Sequence, residues 1–352
     1  PTLNLAARRF SIAVFAGSAD EAADKNGGAV LILHIANPGE PREPALARLR
    51  ERMRPRGLRL ILDFVPNHVA PDHPWVEEHP DFFIEGTEAQ LSAQPQNYRR
   101  IETSRGSRIL AYGRDPYFAG WPDTLQLNYG NPATQEAMIG ELVRIAGQCD
   151  GVRCDMAMLV LPEVFERTWG IRAQPFWPEA TRRVREKAPG FCFMAEVYWD
   201  MEWTLQQQGF DYAYDKRLYD RLREGHVQHI RAHFQAGLDY QDKLARFLEN
   251  HDEPRAALTF HPDQHKAAAV ITFLSPGLKF FHQGQFEGRK KRISPHLVRA
   301  PAEAVNPAGN LRIEDVTAYN LVVDSNIQSP SGYCPRSAYL GATFYNDGAT
   351  DM

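Results

Sequence analysis

The stretch Leu58–His68, with the sequence LRLILDFVPNH, indicates how this chain folds. It begins as a nearly continuous apolar run, which is typical of a strand that is buried on both faces. The polar residues Asp63, Asn67 and His68 come at the carboxyl end of that run. Strands buried on both faces occur in parallel sheets covered by helices, so the stretch favours an α/β fold.

Similar apolar runs recur along the chain, with helical sequence between them. Four further strands are clear: Gly151–Asp155, Phe191–Val197, Ala245–Asn250 and Leu278–Gln283. Three weaker candidates are Ser11–Ala16, Ala29–Ile35 and Asp211–Tyr214. Helices are predicted at Ala45–Arg54, Pro132–Gln148, Pro162–Lys187, Arg221–Leu238 and Asp263–Leu274. This alternation predicts a TIM-type (β/α)8 barrel.

One long segment interrupts the alternation. Residues 69–128 are rich in proline, aromatic and polar residues and contain no clear β/α unit. A long excursion of this kind is usually functional, and its position after the third strand places it over the face where barrel active sites form. We therefore expect residues 69–128 to form an inserted domain.

The remaining boundaries follow from this insertion. Residues 1–68 are expected to form the first part of the barrel, with an atypical stretch over the first 44 residues, and residues 129–300 the rest of it. Residues 301–352 form an atypical C-terminal segment with short alternating β stretches and no clear final helix. Either both ends have diverged or the chain is incomplete.

The composition excludes several classes of function. With 352 residues, of which 43% are hydrophobic, the chain can bury a large core. A formal net charge of −4 with intermixed signs provides no basic stripe for nucleic acid. No stretch approaches the roughly 20 apolar residues that cross a membrane. A neutral substrate is favoured.

The cysteines and the N-terminal residues give some information about the cellular compartment of the protein. Cys149, Cys154, Cys192 and Cys334 show no paired CxxC spacing, so we assign neither a disulfide framework nor a zinc site. Arg8-Arg9 before the apolar run of residues 10–17 faintly resembles a secretory signal, although a buried strand explains it more simply. A cytoplasmic location is expected, with secretion as the alternative.

Acidic residues come at or near the carboxyl ends of four predicted strands: Asp63, Asp155, Glu196 and Asp252. Buried carboxylates are costly unless they are paired or bind a ligand, and in a closed barrel these strand ends converge. Arg153 lies two residues before Asp155 and should keep it ionised, whereas the apolar neighbours of Glu196 should raise its pKa. An ionised and a protonated carboxyl group about 5 Å apart suit a glycosidase that retains the anomeric configuration.

The same residues carry a resemblance to a known family. Asp63–His68 (DFVPNH), Gly151–Asp155 (GVRCD), Met194–Val197 (MAEV) and Glu249–Asp252 (ENHD) resemble, in order, the four conserved segments of the α-amylase family, glycoside hydrolase family 13. The resemblance covers roughly residues 45 to 300. It implies a barrel enzyme acting on α-linked glucose, such as α-1,4-glucans or maltooligosaccharides, with residues 69–128 as the family's domain B.

The resemblance also implies roles for individual residues. Asp155 would be the nucleophile, Glu196 the general acid/base and Asp252 the stabiliser of the transition state. His68 and His251 would contact the sugar, and Arg153 would orient Asp155. Asn67 matches a calcium ligand of the family; no cofactor is required, and calcium is an option.

Other residues have two interpretations. Asp63 binds substrate or only anchors Arg153. Tyr198 and Trp199, just after the general acid, are candidates for a sugar-binding subsite. Arg255, three residues after Asp252, resembles the H-D-x-P-R string of exo-acting relatives and hints at short substrates. The insert's aromatic group either stacks on glucose or packs the insert; it comprises Tyr117, Phe118, Trp121 and Tyr129.

The chain departs from many starch amylases after the nucleophile. Met158 and Leu159 stand where those enzymes carry a Lys-His pair on the acceptor side. The sequence therefore does not decide which leaving group the enzyme prefers, or whether it catalyses hydrolysis or transglycosylation. A catalytically silent amylase-like domain that binds carbohydrate or serves as a scaffold is the main alternative function; a metal-dependent barrel hydrolase lacks a ligand cluster. The oligomeric state is not predicted.

Overall fold

The computed structural model describes residues 10–16, 29–35, 42–56, 58–292, 302–304, 311–329 and 332–346, and the side chains of 46–55, 58–292 and 302–304. Arg8-Arg9 and the side chain of Cys334 lie outside these ranges. Eight strands form a closed barrel. They are β1 (Phe10–Ala16), β2 (Ala29–Ile35), β3 (Leu58–Phe64), β4 (Gly151–Cys154), β5 (Cys192–Ala195), β6 (Tyr212–Tyr214), β7 (Leu244–Arg246) and β8 (Leu278–His282).

The predicted barrel is confirmed, with one strand in an unexpected direction. Strands β3 to β8 pair in parallel in chain order, and β8 pairs in parallel with β2. Strand β1 lies between β2 and β3 and is antiparallel to both. The functional strand ends all belong to the parallel part of the barrel.

Ten helices in the described ranges flank the barrel strands. They are α1 (Arg42–Met53), α2 (Pro132–Ala146), α3 (Pro162–Trp169), α4 (Trp177–Lys187), α5 (Glu202–Gln207), α6 (Lys216–Glu224), α7 (Val227–His233), α8 (Leu238–Gln241), α9 (Ala256–Thr259) and α10 (Pro262–Leu274). Short 3-10 helices lie at Arg54–Arg56 and Ala157–Val160. None of the helices in these ranges has the length and apolar character needed to cross a bilayer.

Two of the predicted helices were wrong in length because glycines end them early. The helix expected over Pro162–Lys187 is divided into α3 and α4, since Gly170 follows α3 in a left-handed conformation at φ 68°. The helix expected over Arg221–Leu238 is likewise divided, since Gly225 ends α6 at φ 74°. A left-handed residue after the last turn is the usual way to end a helix, and glycine adopts it without steric cost.

The segment between β3 and α2 builds its own small elements. It contains helices Trp75–Glu78 and Glu88–Ala93, the 3-10 helix Pro80–Phe82 and a hairpin of Tyr98–Thr103 with Gly106–Ala111. His68–Val69 pairs with Leu125–Gln126 at its base. Thus the two ends of the segment are hydrogen-bonded to each other beside the carboxyl end of β3.

Two long strands occupy the C-terminal segment, where the sequence predicted only short ones. Leu311–Ser329 and Gly332–Asn346 pair in antiparallel fashion with several register shifts.

The core lies between the barrel and its helices. Fully buried apolar side chains come from adjacent strands, among them Leu60, Val152 and Phe193. Trp177 is also fully buried, and its indole nitrogen donates to the carbonyl of Ala157 at 2.8 Å. This bond attaches helix α4 to the segment that follows β4. Cys149, Cys154 and Cys192 are buried free thiols.

Candidate active site

The strand register brings the predicted catalytic residues to one edge of the barrel. Asp63 on β3 is level with Arg153 on β4, and Cys154 on β4 is level with Ala195 on β5. Asp155 and Glu196 are therefore the next residues on neighbouring strands. Their backbone continues the ladder: Asp155 N–H donates to the carbonyl of Phe64 at 2.8 Å, and Glu196 N–H to that of Cys154 at 3.0 Å.

Arg153 connects three carboxyl groups. Its Nη1 donates to Asp63 Oδ1 at 3.0 Å and to Asp155 Oδ1 at 2.7 Å. Its Nη2 lies 2.8 Å from Glu196 Oε2, without hydrogen-bond geometry. The guanidinium is almost fully buried and is also bonded through Nε to the Tyr214 hydroxyl at 3.2 Å. A single cation thus fixes the positions of Asp155 and Glu196 relative to each other.

Asp155 is held in its ionised form. Burial raises the pKa of its carboxyl group, but the charge of Arg153, aided by the Arg153 hydrogen bond, outweighs burial and lowers the pKa below its usual value. About a quarter of the side chain is exposed. An ionised, accessible carboxylate suits a nucleophile.

Glu196 has the opposite protonation state. Burial raises its pKa to about 8; the charge of Arg153 opposes this shift, while Asp155 and Asp252 reinforce it. The backbone N–H of Met156 donates to Oε2 at 2.8 Å, and the Tyr198 hydroxyl donates to Oε1 at 2.9 Å. A carboxyl group that is protonated at neutral pH and fixed by two donors suits a general acid.

Asp252 lies on the loop after β7. The side-chain oxygen of Asn250 accepts from the backbone N–H of Asp252 at 2.9 Å and from that of Glu253 at 2.8 Å, which fixes the turn. His251 Nε2 is 3.0 Å from Asp252 Oδ2. Burial, reinforced by the negative charge of Asp155, raises the pKa of Asp252, although Arg153 opposes the shift. With 47% of its side chain exposed, Asp252 is open to a ligand.

His68 and Asp63 complete the edge on the side of β3. Burial lowers the pKa of His68, and its ring packs against Trp121 at 5.3 Å between centroids. A neutral imidazole is therefore expected beside Asp155. Burial raises the pKa of Asp63, which nevertheless pairs with Arg153 and keeps 30% of its side chain exposed.

The prediction that Arg255 contacts the substrate was wrong. Its side chain is completely buried and pairs with the buried Glu249 at 2.5 Å. It also bonds the carbonyl groups of Gln283 at 2.8 Å and Lys291 at 3.1 Å. Arg255 therefore joins the loops after β7 and β8, and its complete burial leaves no surface for contact with a sugar.

The calcium ligand expected at Asn67 does not fit this structure. Asn67 is buried, and its side-chain and backbone oxygens both accept from Gln126 Nε2 at 2.9 Å. The same nitrogen donates to the carbonyl of Leu127 at 3.0 Å. Three oxygens therefore surround an amide nitrogen, and no group of three or more His, Cys, Asp or Glu residues suited to a metal occurs among the described residues.

Some residues of the site were not found from the sequence. Tyr214 ends β6 and touches Arg153, so its position at a predicted strand end was a usable signal. Met156 contributes a backbone N–H because it is left-handed, at φ 41°, and a methionine gives no sequence signal for that conformation. Gln126 contacts Asn67 across the base of the insert, and no local sequence pattern predicts this contact.

A barrel edge that carries one ionised and one protonated carboxyl group is the arrangement found in glycosidases. Residues 42–304 match the family described as alpha amylase, catalytic domain. This is more than half of the sequence, and the chain belongs to the α-amylase family.

Individual relatives match parts of the chain. The α-amylase MalA of Haloarcula japonica is 24% identical over 70% of this chain and 34% of its own length. The trehalose synthase/amylase TreS of Mycobacterium tuberculosis is 33% identical over 40% of this chain and 26% of its own length. The structure of an α-amylase from Lactobacillus plantarum shares the fold, with a TM-score of 0.55 and 23% identity over 74% of this chain and 59% of that one. The chain thus spans about a third of the length of MalA.

Proposed function

We propose that this chain is a retaining glycoside hydrolase or transglycosylase that acts on α-linked glucose in α-1,4-glucans or maltooligosaccharides. The observation that supports this most directly is the placement of Asp155 and Glu196 on one guanidinium, with opposite shifts in pKa. The membership in the α-amylase family and the names of the relatives support the substrate class. We also propose that residues 69–128 form the family's domain B, beside the site.

In the first step, Glu196 donates its proton to the glycosidic oxygen while the Asp155 carboxylate attacks the anomeric carbon. The bond to the leaving group breaks, and a β-glycosyl ester of Asp155 forms. Esterification removes the negative charge of Asp155, which is one of the causes that raise the pKa of Glu196. The pKa of Glu196 therefore falls in the intermediate, and the carboxylate becomes a base.

In the second step, Glu196 takes a proton from water or a sugar hydroxyl, which attacks the same carbon and releases Asp155. Two inversions at one centre retain the α configuration. Asp252, exposed beside the pair, would bond sugar hydroxyls during both steps. Whether water or a sugar accepts the glycosyl group decides between hydrolysis and transfer.

A trapping experiment tests the nucleophile. A 5-fluoro-α-glucosyl fluoride should leave a fluoroglucosyl ester on the peptide that contains Asp155, detected by mass spectrometry after proteolysis. The variant Asp155→Asn should not be labelled, and the matched control Glu163→Gln, on the outer helix α3, should be labelled as the wild type is. Labelling of another residue, or products of inverted configuration, would overturn the assignment.

A rate measurement tests the general acid. Glu196→Gln should lower kcat on maltooligosaccharides by about 100-fold or more, since general acid catalysis contributes about 10² to 10⁴. It should lower the rate far less on an α-glucosyl fluoride, whose leaving group needs little protonation. Equal losses on both substrates would exclude a proton-donating role. A wild-type chain that leaves every α-glucoside intact would favour the silent binding domain instead.

A further inference from the structure

One nitrogen of the Arg153 side chain lacks an acceptor in the resting site. The guanidinium group presents five N–H donors. Its Nη1 donates to Asp63 and Asp155, and its Nε donates to the Tyr214 hydroxyl. Its Nη2 is buried and has no hydrogen bond to any described residue, although Glu196 Oε2 is only 2.8 Å away. Because a buried donor without an acceptor is costly, this arrangement points to a use in another state of the reaction.

Glu196 has little need of Arg153 before the reaction. Its raised pKa, about 8, keeps the carboxyl group neutral at neutral pH. Its Oε2 already accepts from the backbone N–H of Met156 at 2.8 Å, and its Oε1 accepts from the Tyr198 hydroxyl at 2.9 Å. The ionised Asp155 is therefore the stronger partner of the guanidinium at this stage, since hydrogen bonds between charged groups are the strong ones.

The first chemical step exchanges these charges. Glu196 gives its proton to the departing group and becomes ionised, while the ester of Asp155 is neutral. Glu196 is then the stronger acceptor for Arg153. Since Nη2 and Oε2 are already 2.8 Å apart, a change in the orientation of the guanidinium plane is sufficient to form the bond.

Tyr214 is placed to control that orientation. It ends β6 and is fully buried, and its ring packs against Phe247 at 5.4 Å and Phe280 at 5.2 Å between centroids. Its hydroxyl accepts from Arg153 Nε at 3.2 Å. Because packing fixes the ring, the hydroxyl is a fixed point to which one end of the guanidinium is attached.

We propose that Tyr214 is a positioning residue for the second step: its hydroxyl holds Arg153 by Nε so that Nη2 hydrogen-bonds Glu196 in the glycosyl intermediate. This role rests on the proposed function. The bond keeps Glu196 ionised, as it must be to take a proton from the attacking water or sugar hydroxyl. As that group bonds to the anomeric carbon, the ester bond breaks and Asp155 leaves as a carboxylate, which returns Arg153 to its resting contacts.

The variant Tyr214→Phe tests the second step separately from the first. It keeps the ring and its packing but removes the acceptor for Nε. The rate at which 5-fluoro-α-glucosyl fluoride labels the protein reports the first step, in which fluoride leaves with little help from the acid, and this rate should match the wild type. After excess reagent is removed, the rate at which the label is lost reports the second step. Intact-protein mass spectrometry measures both rates.

The pH dependence of label loss gives the expected size of the effect. Label loss slows below the pKa of Glu196 in the intermediate, because the base must be ionised. A weaker bond from Arg153 should raise that pKa by about one unit in Tyr214→Phe, so that the label is lost about tenfold more slowly on the acidic limb, with rates converging at higher pH. Besides the esterified Asp155, the other groups that face Glu196 are the same in both proteins: Asp252, the Tyr198 hydroxyl and the N–H of Met156.

Tyr219→Phe is the matched control. Tyr219 is also fully buried and packs on Phe247, at 5.6 Å between ring centroids, but it lies on helix α6. Its label should form and be lost as in the wild type. Equal slowing of both steps in Tyr214→Phe, an unshifted acidic limb, or the same shift in Tyr219→Phe would overturn the role of Tyr214 and leave the proposed function standing. A wild type that takes no label would reject both.

The trapped wild type provides a measurement that needs no variant. In its crystal structure, Arg153 Nη2 should donate to Glu196 Oε2 while Nε keeps its bond to the Tyr214 hydroxyl. An Nη2 without a hydrogen bond to Glu196, or an Nε detached from Tyr214, would reject the positioning role.

Discussion

Opposite protonation of two neighbouring carboxyl groups is the main feature at the scale of single residues. Asp155 and Glu196 contact the same guanidinium, yet the pKa of Asp155 is lowered and that of Glu196 is raised to about 8. Burial raises both pKa values, but in Asp155 the charge and hydrogen bond of Arg153 outweigh it, whereas in Glu196 the charges of Asp155 and Asp252 reinforce it. These environments suit Asp155 to the proposed role of nucleophile and Glu196 to that of general acid.

The hydroxyl of Tyr198 should tune the acid. It donates to Glu196 Oε1, and a hydrogen bond to the ionised form of a carboxyl group is stronger than one to its neutral form. Tyr198→Phe should therefore raise the pKa of Glu196 and move the alkaline limb of the kcat/KM profile, expected near pH 8, to higher pH. Profiles between pH 5 and 10 would measure the shift, with Tyr212→Phe as the control. A limb that stays in place or moves down would contradict this role.

The residues that the sequence predicted best share a simple signal. Asp155, Glu196 and Arg153 follow or end short apolar strands, and a parallel barrel brings such ends together whatever the details of the loops. The expectation for Arg255 was wrong because the local sequence carries no information on burial; the structure shows its side chain completely buried and paired with Glu249. Contacts between distant segments, such as Gln126 with Asn67, have no local pattern to reveal them.

At the scale of elements, the loop after β7 depends on a buried ion pair. Arg255 and Glu249 are both almost fully buried, and Glu249 Oε2 also accepts from the backbone N–H of Ala256 at 2.7 Å. Arg255→Met should lower the free energy of unfolding by about 3 to 5 kcal/mol, because it leaves Glu249 as an uncompensated buried charge. Denaturant unfolding would measure the loss.

A double variant provides the control for this pair. Adding Glu249→Gln to Arg255→Met removes the buried charge and should recover part of the stability. A loss below about 1 kcal/mol in the single variant, as for an exposed pair, would show that the ion pair does not support the loop.

The base of the insert depends on one amide. Gln126→Ala would leave the side-chain oxygen of Asn67 and the carbonyl of Leu127 without this donor, while the Asn67 carbonyl keeps the backbone N–H of Leu127 at 3.1 Å. The loss should lower stability by about 1 to 3 kcal/mol. Thermal unfolding would measure it, with and without a calcium chelator. The exposed Gln94→Ala is the comparison. Since the nitrogen of Gln126 lies among these oxygens, the chelator should not change the Tm of the wild type. A lower Tm in the presence of the chelator would instead indicate that calcium binds at Asn67.

Elements were predicted in type and order, but not in every boundary or direction. The apolar runs indicated the barrel strands, whereas the ends of α3 and α6 depend on left-handed glycines within sequence that otherwise favours a helix. Strand β1 has the expected position yet runs antiparallel to both neighbours. An apolar run carries no signal for direction, because both directions bury the same side chains.

At the scale of the whole molecule, the active site should lower stability at alkaline pH. The pKa of Glu196 rises from 4.5 to about 8 on folding, so the folded chain holds a proton that the unfolded chain releases. Stability from this group is complete below pH 4.5 and is lost as the pH rises towards 8. Glu196→Gln should therefore gain on the order of a few kcal/mol over the wild type between pH 4 and pH 9. Thermal unfolding across this range would test it, and a constant difference would contradict it.

The contacts of Arg153 with three carboxyl groups also determine when activity appears during refolding. Its carboxyl partners lie on or directly after strands β3, β4 and β5, and Tyr214 ends β6; these strands are separated along the chain by the insert and several helices. Such non-local contacts form slowly, after local helices. Regained catalysis should therefore lag behind regained helical signal in a refolding time course, so that turnover reports when the ring of strands has closed.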